Sequence, residues 1–545
     1  MSKTPAITRS ILWGALTLIV VRLLTLAYPD LVDTTEGRYA GVAQLMLHRD
    51  DWVTPWINFH GVDKPYLGKP PLHFWLVQIS FLLFGENAFA ARFPSFLSAV
   101  GIGVALWITT RALLGLEAAM VAVLVLGSSC MLFFLGGAVV LDVTLTLGIS
   151  IALLAFLLSE RSRLAGWLFF AGLGLGVLVK GPLAGVLAGC TIAPWALLQR
   201  YSSGSWPAQL RKLPWVTGCG LFLAIVLPWY VWAEVRNPGF LKYFLWNENF
   251  GRYLKKDYGD VYGSGHRQPF GAAWGMMFLG TVPWSVALSA LLLMRPKKFF
   301  SKNTVVAIKN DSLLLYGLCW ALSCPVLLLG AKQYTATYLM PSIPGFAFLL
   351  AICWERGYSR GWVSDTLVAR VLKVIGLILA LLAIIGAIIS LWYSVSLLYA
   401  LMTFGAALLT CIGIIRNHGA SAASHVLRVA VITAFVYGAA SMCFNSHLSS
   451  NRSTQEALKL VRTVIPPGTP VRLGLPYYVP FSAFFYSRAQ GDAQLELVPL
   501  NEETVKTTAV DLFLVRQRNV NRLREALPNV QEVESIGQWR IMRNG

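Results

Sequence analysis

Between Ile11 and Phe444 the chain is a succession of apolar runs of about twenty residues separated by short polar stretches. A helix of that length crosses a hydrocarbon core of roughly 30 Å. The pattern predicts spans near 11–28, 93–112, 117–136, 141–159, 164–179, 182–198, 214–234, 271–294, 312–330, 338–354, 368–392, 394–415 and 427–446, about thirteen in all. The first run has no small-residue cleavage site behind it and leads into an acidic stretch, so it reads as a retained anchor and not a removed signal.

Basic residues set the expected orientation. Arg111, Arg161 with Arg163, Arg200 to Lys212, Arg295 to Lys309, Arg356 to Lys373 and Arg416 to Arg428 occupy alternate inter-helix loops, which the positive-inside rule assigns to the cytoplasm. Pro71 to Gly85 is apolar enough to pass for another span. Counting it would put every later basic loop on the wrong side, so an interfacial or re-entrant helix is expected there. The outer segments are then Asp33 to Pro70, the Val140–Asp142 turn, the Lys180 turn, Arg236 to Pro269, Lys332 to Thr337 and everything after Ser446.

That last segment changes character. From Asn451 to Gly545, strand-like runs (Val471–Leu475, Leu495–Leu500, Asp511–Arg516, Trp539–Met542) alternate with helical stretches such as Thr454–Val464. The expected architecture is a polytopic α-helical membrane domain over 1–446, with outer loops 29–92 and 235–270, followed by a small outer α/β domain over 447–545.

Composition narrows the classes. At 56% hydrophobic and 13% charged, the 545-residue chain is too apolar for a soluble enzyme. A net charge of +19 would suit nucleic acid, but it is spread over the short loops that set topology, and no nucleic-acid partner is expected. The eight cysteines all lie in or beside apolar runs, so neither a disulfide framework nor a thiolate metal cluster is expected. No Walker motif or dinucleotide glycine fingerprint supports nucleotide-driven chemistry.

The polar chemistry gathers on the outer side. Asp33-Thr-Thr-Glu36-Gly-Arg38-Tyr39 follows the first span, putting carboxylate, guanidinium and phenol together. Glu36 or Asp33 could deprotonate an acceptor and Arg38 could grip a phosphate; a capped interfacial helix with solvated charges is the plainer reading. Gly68-Lys69-Pro70-Pro71-Leu72-His73-Phe74-Trp75 offers a lysine at headgroup level, for lipid phosphate or simple snorkelling. Asp142 and Lys180 are isolated charges at the edges of apolar spans, where desolvation costs several kcal/mol unless a partner or a function compensates. They read as lining an outward-facing cavity, or as a salt bridge to each other or helix-end snorkelling. Arg22 inside the first span is equally costly and has no evident role. The loop Asn247 to Phe270 carries Glu248, Arg252, Lys255, Lys256, Asp257, Asp260, His266 and Arg267. His266 could ligate a metal or act as an acid, but no HExxH-type spacing accompanies it, and a hydrogen-bonded loop histidine is the plainer reading. Lys332 to Tyr338 fills a short outer turn with donors suited to a phosphate.

In this order, Thr-Glu36-Gly-Arg38-Tyr39-Ala, Gly-Lys69-Pro-Pro-Leu-His-Phe-Trp75, Leu141-Asp142, Val-Lys180-Gly-Pro, His266-Arg267-Gln-Pro-Phe270 and Lys332 through Tyr338 resemble the bacterial lipid A 4-amino-4-deoxy-L-arabinose transferases and the wider protein-mannosyltransferase-like glycosyltransferases of the GT-C fold. The resemblance covers about Asp33 to Pro341. It implies an inner-membrane enzyme that transfers a sugar, with inversion, from a polyprenyl (undecaprenyl) phosphate-linked donor to a lipid or glycan acceptor, lipid A included, or to a protein. It also implies a periplasmic active site and C-terminal domain. In this sequence it assigns acceptor activation or orientation to Glu36, with Asp142 as second carboxylate and Asp33 as a substitute. Arg38, Lys69, Lys180, Arg267 and Lys332 would hold the phosphate, with Tyr39 and Tyr338 as hydrogen-bond donors. The family often has an acidic pair where this chain has Thr35-Glu36. It often has a glutamate where Gly68 stands, and that acid can share a zinc ion with the later histidine. Gly68 removes one of those two ligands, which counts against a divalent cation at His266, and no other cofactor is implied.

Two other classes fit parts of the pattern. A polyprenyl-lipid or small-molecule transporter would also carry intramembrane charges, but no inverted repeat is evident and the charges sit at one face. A scaffold presenting the C-terminal domain leaves Asp142 and Lys180 unexplained.

Overall fold

The computed structural model describes residues 4–545 apart from 252–266, 300, 332, 362–363, 393–400, 402–403, 406, 409, 413–421, 444–448, 450, 466–467 and 493. The chain forms two compact units. One comprises Met1–Thr25, Gly68–Leu72 and Ser95–Ala440; the other comprises Leu26–Leu67, His73–Pro94 and Ser441–Gly545.

The first unit is helical. Among the described residues, nine helices of the chain are long and apolar enough to cross a membrane: Ala88–Leu114, Leu141–Leu158, Arg163–Lys180, Leu183–Ser203, Trp215–Arg236, Ser312–Gly330, Ala336–Ser359, Asp365–Ile388 and Ala422–Ser441. Each coincides with a run read from the sequence. The first predicted span, 11–28, falls on the helix Thr4–Leu24, which ends four residues short of it, and the run 394–415 falls largely outside the described residues. The helix Leu72–Phe84 has 13 residues, about 20 Å of rise, too short to span.

Two predicted spans are not single helices. The run 117–136 is Leu116–Gly127 and Cys130–Leu135, parted at Ser128 and Ser129. The run 271–294 is Ala272–Gly280 and Trp284–Met294, bent by 104° at Thr281-Val282-Pro283, where proline cannot donate to the helical ladder. Backbone groups freed in an apolar medium need partners, and these two breaks satisfy each other. The Cys130 N–H donates to the Val282 carbonyl at 3.2 Å, the Tyr437 hydroxyl donates to the same oxygen at 2.8 Å, and Trp284 Nε1 donates to Ser128 Oγ at 2.9 Å. Apolar periodicity carries no signal for such a break, because the residues on both sides stay hydrophobic.

Leu141–Leu158 and Arg163–Lys180 are joined by the short connection Ser159–Ser162 and pack through small residues. A Cβ on Gly148 would stand 2.8 Å from Gly176 N, and one on Gly172 would stand 2.6 Å from Gly148 O. Small residues four apart let two membrane helices approach backbone to backbone. Arg22, without a role in the sequence, ties the end of its helix down: Nη2 donates to the Phe134 carbonyl at 3.1 Å and Nη1 to Thr25 Oγ1 at 2.9 Å.

The second unit contains the helix Thr35–His48, a hairpin of β1 (Trp56–Phe59) and β2 (Val62–Pro65), and a five-stranded sheet. The hairpin turns at His60 and Gly61, both at positive φ, the backbone demanded by a tight two-residue turn. The sheet is built from β3 (Val471–Pro476), β4 (Leu495–Leu500), β5 (Leu512–Arg516), β6 (Val530–Ile536) and β7 (Trp539–Asn544) in the order β4-β3-β5-β7-β6. β3 runs parallel to β4 and β5, while β7 is antiparallel to β5 and β6. Phe513, Val515, Leu523 and Met542 anchor one core cluster. The helix Gln455–Val464 packs on β6 and β7, and Phe481–Ala489 packs on β4. The strand β6 was missed in the sequence because five of its seven positions are exposed, so Val-Gln-Glu-Val-Glu-Ser-Ile shows no apolar alternation.

Candidate active site

In the first unit, Asp142 opens its helix and Lys180 closes its neighbour, and Lys180 Nζ donates to Asp142 Oδ1 at 2.6 Å. Both side chains are about nine-tenths buried. Each charge sits at the helix end whose macrodipole favours it, negative at the N-terminus and positive at the C-terminus. The ammonium also stands 3.9 Å from the centre of the Tyr338 ring, a cation–π contact strengthened by desolvation. The spans' small-residue interface is what brings the two helix ends together. Of the readings open for this pair, the structure shows the ion pair formed.

Lys69 forms a second buried pair. Its ammonium bonds Glu248, and donates to the Gly68 carbonyl at 2.8 Å. Glu248 lies in the π-helical stretch Tyr243–Gly251, a geometry that recurs at functional sites. Arg267 is exposed and bridges backbone to backbone with Gln333. With Phe270, Leu328 and Tyr334 it lines a cavity of ≈ 400 Å³.

In the second unit, Glu36 is clamped by Arg92. Nε donates to Oε1 at 2.9 Å and Nη2 to Oε2 at 2.7 Å, the two-pronged geometry that fixes a carboxylate most firmly. Arg92 also donates to the carbonyls of Leu26 at 2.9 Å and Pro29 at 2.5 Å, while the Val32 N–H reaches Glu36 Oε2 at 3.1 Å. Arg38 lies beside Tyr39, its Cζ 4.9 Å from the ring centre, and Tyr39 packs edge-on against Phe74. Asp33 turns to the C-terminal tail: Oδ1 accepts from Ser482 N at 2.9 Å and Oδ2 from Ser482 Oγ at 2.5 Å. It thereby caps the start of Phe481–Ala489, which lacks a side-chain cap of its own. Burial pushes the Asp33 carboxyl up to about 6 against the pull of the Ser482 bonds.

The structure thus joins Asp142 with Lys180 and Tyr338, and separately Arg38 with Tyr39. It gives Glu36, Lys69 and Asp33 partners not assigned from sequence. His266 and Lys332 lie outside the described residues. Arg92 was missed because it stands at the head of an apolar run, read as part of a span boundary. Glu248 was visible as one acid among many in a charged loop, without a signal tying it to Lys69. Among the described residues, no three His, Cys, Asp or Glu side chains converge as a metal site.

The sequence matches the family described as dolichyl-phosphate-mannose-protein mannosyltransferase over residues 68–232. It is 29% identical over 355 residues to the undecaprenyl phosphate-alpha-4-amino-4-deoxy-L-arabinose arabinosyl transferase of Erwinia tasmaniensis, covering 64% of this chain and 58% of that protein. To the protein of the same name from Aeromonas salmonicida it is 30% identical over 337 residues, covering 60% and 57%. The matched part is thus less than two thirds of either relative's length. The fold is that of ArnT from Cupriavidus metallidurans, whose structure bound to undecaprenyl phosphate superimposes with a TM-score of 0.75 at 19% identity over 98% of each chain. Its apo state agrees equally well, at 0.75. The resemblance carried by the motifs therefore holds in sequence and in fold.

Proposed function

We propose that this chain, built on the fold of an undecaprenyl-phosphate-binding transferase, moves a sugar from an undecaprenyl-phosphate-linked donor to a lipid A, other glycan or protein acceptor. The reading includes the finer topology: about thirteen spans in the bacterial inner membrane, with the reaction and the C-terminal α/β domain on the periplasmic face. The observation that carries it is the buried Asp142–Lys180 pair against Tyr338. A carboxylate and a cation desolvated side by side at the ends of two spans suit a reaction that removes a proton and releases a phosphate. The names of the sequence relatives supply the donor class.

In this mechanism the acceptor oxygen attacks the anomeric carbon, the bond from that carbon to the phosphate oxygen breaks, and polyprenyl phosphate departs with the bonding electrons. Asp142 takes or orients the acceptor proton. Lys180, Lys69, Arg267 and Lys332 hold the phosphate as charge develops, with Tyr338 fixing Lys180. Glu36, held by Arg92, orients and does not exchange protons; Arg38 and Tyr39 are assigned to donor binding, and Asp33 to capping. No step is routed through a metal at His266.

The test is transfer in proteoliposomes from radiolabelled undecaprenyl-phosphate sugars to a cell-envelope extract, wild type against Asp142→Asn. Label reaching product with the wild type alone supports the reading. No transfer from any donor by a folded wild type would overturn it in favour of lipid transport.

A further inference from the structure

In the C-terminal sheet the chain leaves β3 for β4 on one side, but leaves β5 towards β6 and β7 on the other. The carboxyl ends of β3 and β5 therefore flank a topological switch point, where open α/β sheets bind ligands. Tyr477 and Tyr478 follow β3; Arg516 ends β5, with Arg518 two residues on. The Arg516 guanidinium carbon stands 3.7 Å from the centre of the Tyr478 ring and 5.2 Å from that of Trp539. Trp539, at the start of β7, is fully buried with its N–H given to the Ser453 carbonyl, so it forms a fixed wall.

Charge at this edge is unbalanced. Arg518 and Arg452, both exposed, act on Arg516. Burial first, then the like charge of Arg518, pull Arg516 below the usual guanidinium range. Among the described residues no ion pair is formed by Arg452, Arg516 or Arg518, whereas several other arginines of this unit are paired, as Arg462 is with Asp492. Arg516 Nε is buried without a hydrogen-bond partner. The neighbouring carboxylate, Asp33, has both oxygens committed to Ser482. Guanidinium forks take phosphate oxygens bidentately, and an aromatic face beside them suits a sugar ring.

We propose that this arginine–tyrosine edge of the C-terminal sheet, Arg516 with Arg518, Arg452 and Tyr478, binds a phosphomonoester on the saccharide of the acceptor and so selects it. The proposal rests on the transfer reaction proposed above for what the bound saccharide is for. Binding itself can be read without turnover.

The experiment uses the full chain in nanodiscs and a fluorescent glucosamine-disaccharide glycolipid, phosphorylated or enzymatically dephosphorylated, with inorganic phosphate as competitor. The wild type should prefer the phosphorylated form by about ten-fold or more, a difference of about 1.4 kcal/mol. Arg516→Gln and the exposed Arg518→Gln should each lose most of that preference with unchanged thermal unfolding, and Arg516→Lys should restore part of it. Competition by inorganic phosphate would place recognition in the phosphate alone, and its absence would add the sugar face; either supports the site. Equal binding of the two glycolipids, or preference retained in both glutamine variants, would overturn it. In transfer, the variants should raise KM for the acceptor and leave KM for the donor unchanged. Phosphate-dependent binding with no transfer from any donor would remove the enzyme reading and leave the site; transfer indifferent to Arg516 and Arg518 would remove the site and leave the enzyme.

Discussion

Lys180 Nζ meets Asp142 Oδ1 at 2.6 Å across two antiparallel spans that are in near backbone contact through Gly148, Gly172 and Gly176. The pair is a product of that packing as much as of its own attraction. Two long polar side chains in an apolar medium would find water or headgroups if their helix ends were held apart.

Removing one partner leaves the other charged, buried and without its counter-ion, at a cost of about 3–5 kcal/mol. Asp142→Asn and Lys180→Met should each lower the unfolding midpoint of the purified protein. The double variant should be less destabilised than the sum of the two, with a coupling of about 1–3 kcal/mol. Transfer should fall by at least about 100-fold in all three. Additive stabilities would show that the pair is not coupled.

Gly148→Ala should cost about 1–3 kcal/mol, because its methyl would meet backbone atoms that cannot rotate aside. Gly189→Ala, in the helix Leu183–Ser203 and with nothing within 4 Å of its added carbon, should be neutral or stabilising by up to about 1 kcal/mol. Thermal unfolding in detergent compares them directly. Equal effects at the two sites would mean the close approach is not rigid.

Glu36→Gln breaks a two-pronged pair and leaves Arg92 with its full charge, 1% exposed. A loss of about 3 kcal/mol is expected. A stable Glu36→Gln variant with no transfer would instead assign this carboxylate to the chemistry. Stability and turnover measured on one preparation separate the alternatives.

For Asp33, whose carboxyl is raised to about 6 from 3.8, the folded state binds the proton more tightly than the unfolded chain. Stability from this group is greatest below pH 4 and falls as pH rises from about 4 to 6, by an amount on the order of 1–3 kcal/mol. Asp33→Asn keeps an acceptor for Ser482 N and should flatten that part of the profile. A stability curve between pH 4 and 7 with the same slope in both proteins would refute the assignment.

The chain's polar chemistry depends on pairings more than on residue types, and pairings are what the sequence hides. Apolar run length marked nine of the spanning helices, since length and hydropathy suffice for a helix in lipid. Charges isolated in such runs marked Asp142 and Lys180 as costly, hence worth explaining. Their meeting follows from a glycine interface that hydropathy does not weigh. Asp33 and Ser482 are 449 residues apart, and an aspartate that caps a distant helix looks in sequence like one that accepts a proton. Arg92 reads as a boundary residue until the carbonyls of Leu26 and Pro29 are seen around it.

The polar strand β6 closes one margin of the sheet with Glu532 and Glu534 and an irregularity in register between them. At the opposite margin β4 carries Pro499, which has no N–H to offer a new strand. Proteins anchored in one bilayer meet each other far more often than the same molecules free in solution, and an unguarded strand would let neighbouring copies zip together. Carboxylates and the bulge on one margin, and an absent donor on the other, should keep this unit monomeric when crowded. Replacing Glu532 and Glu534 by valine is therefore a route to aggregation that leaves the helical unit untouched.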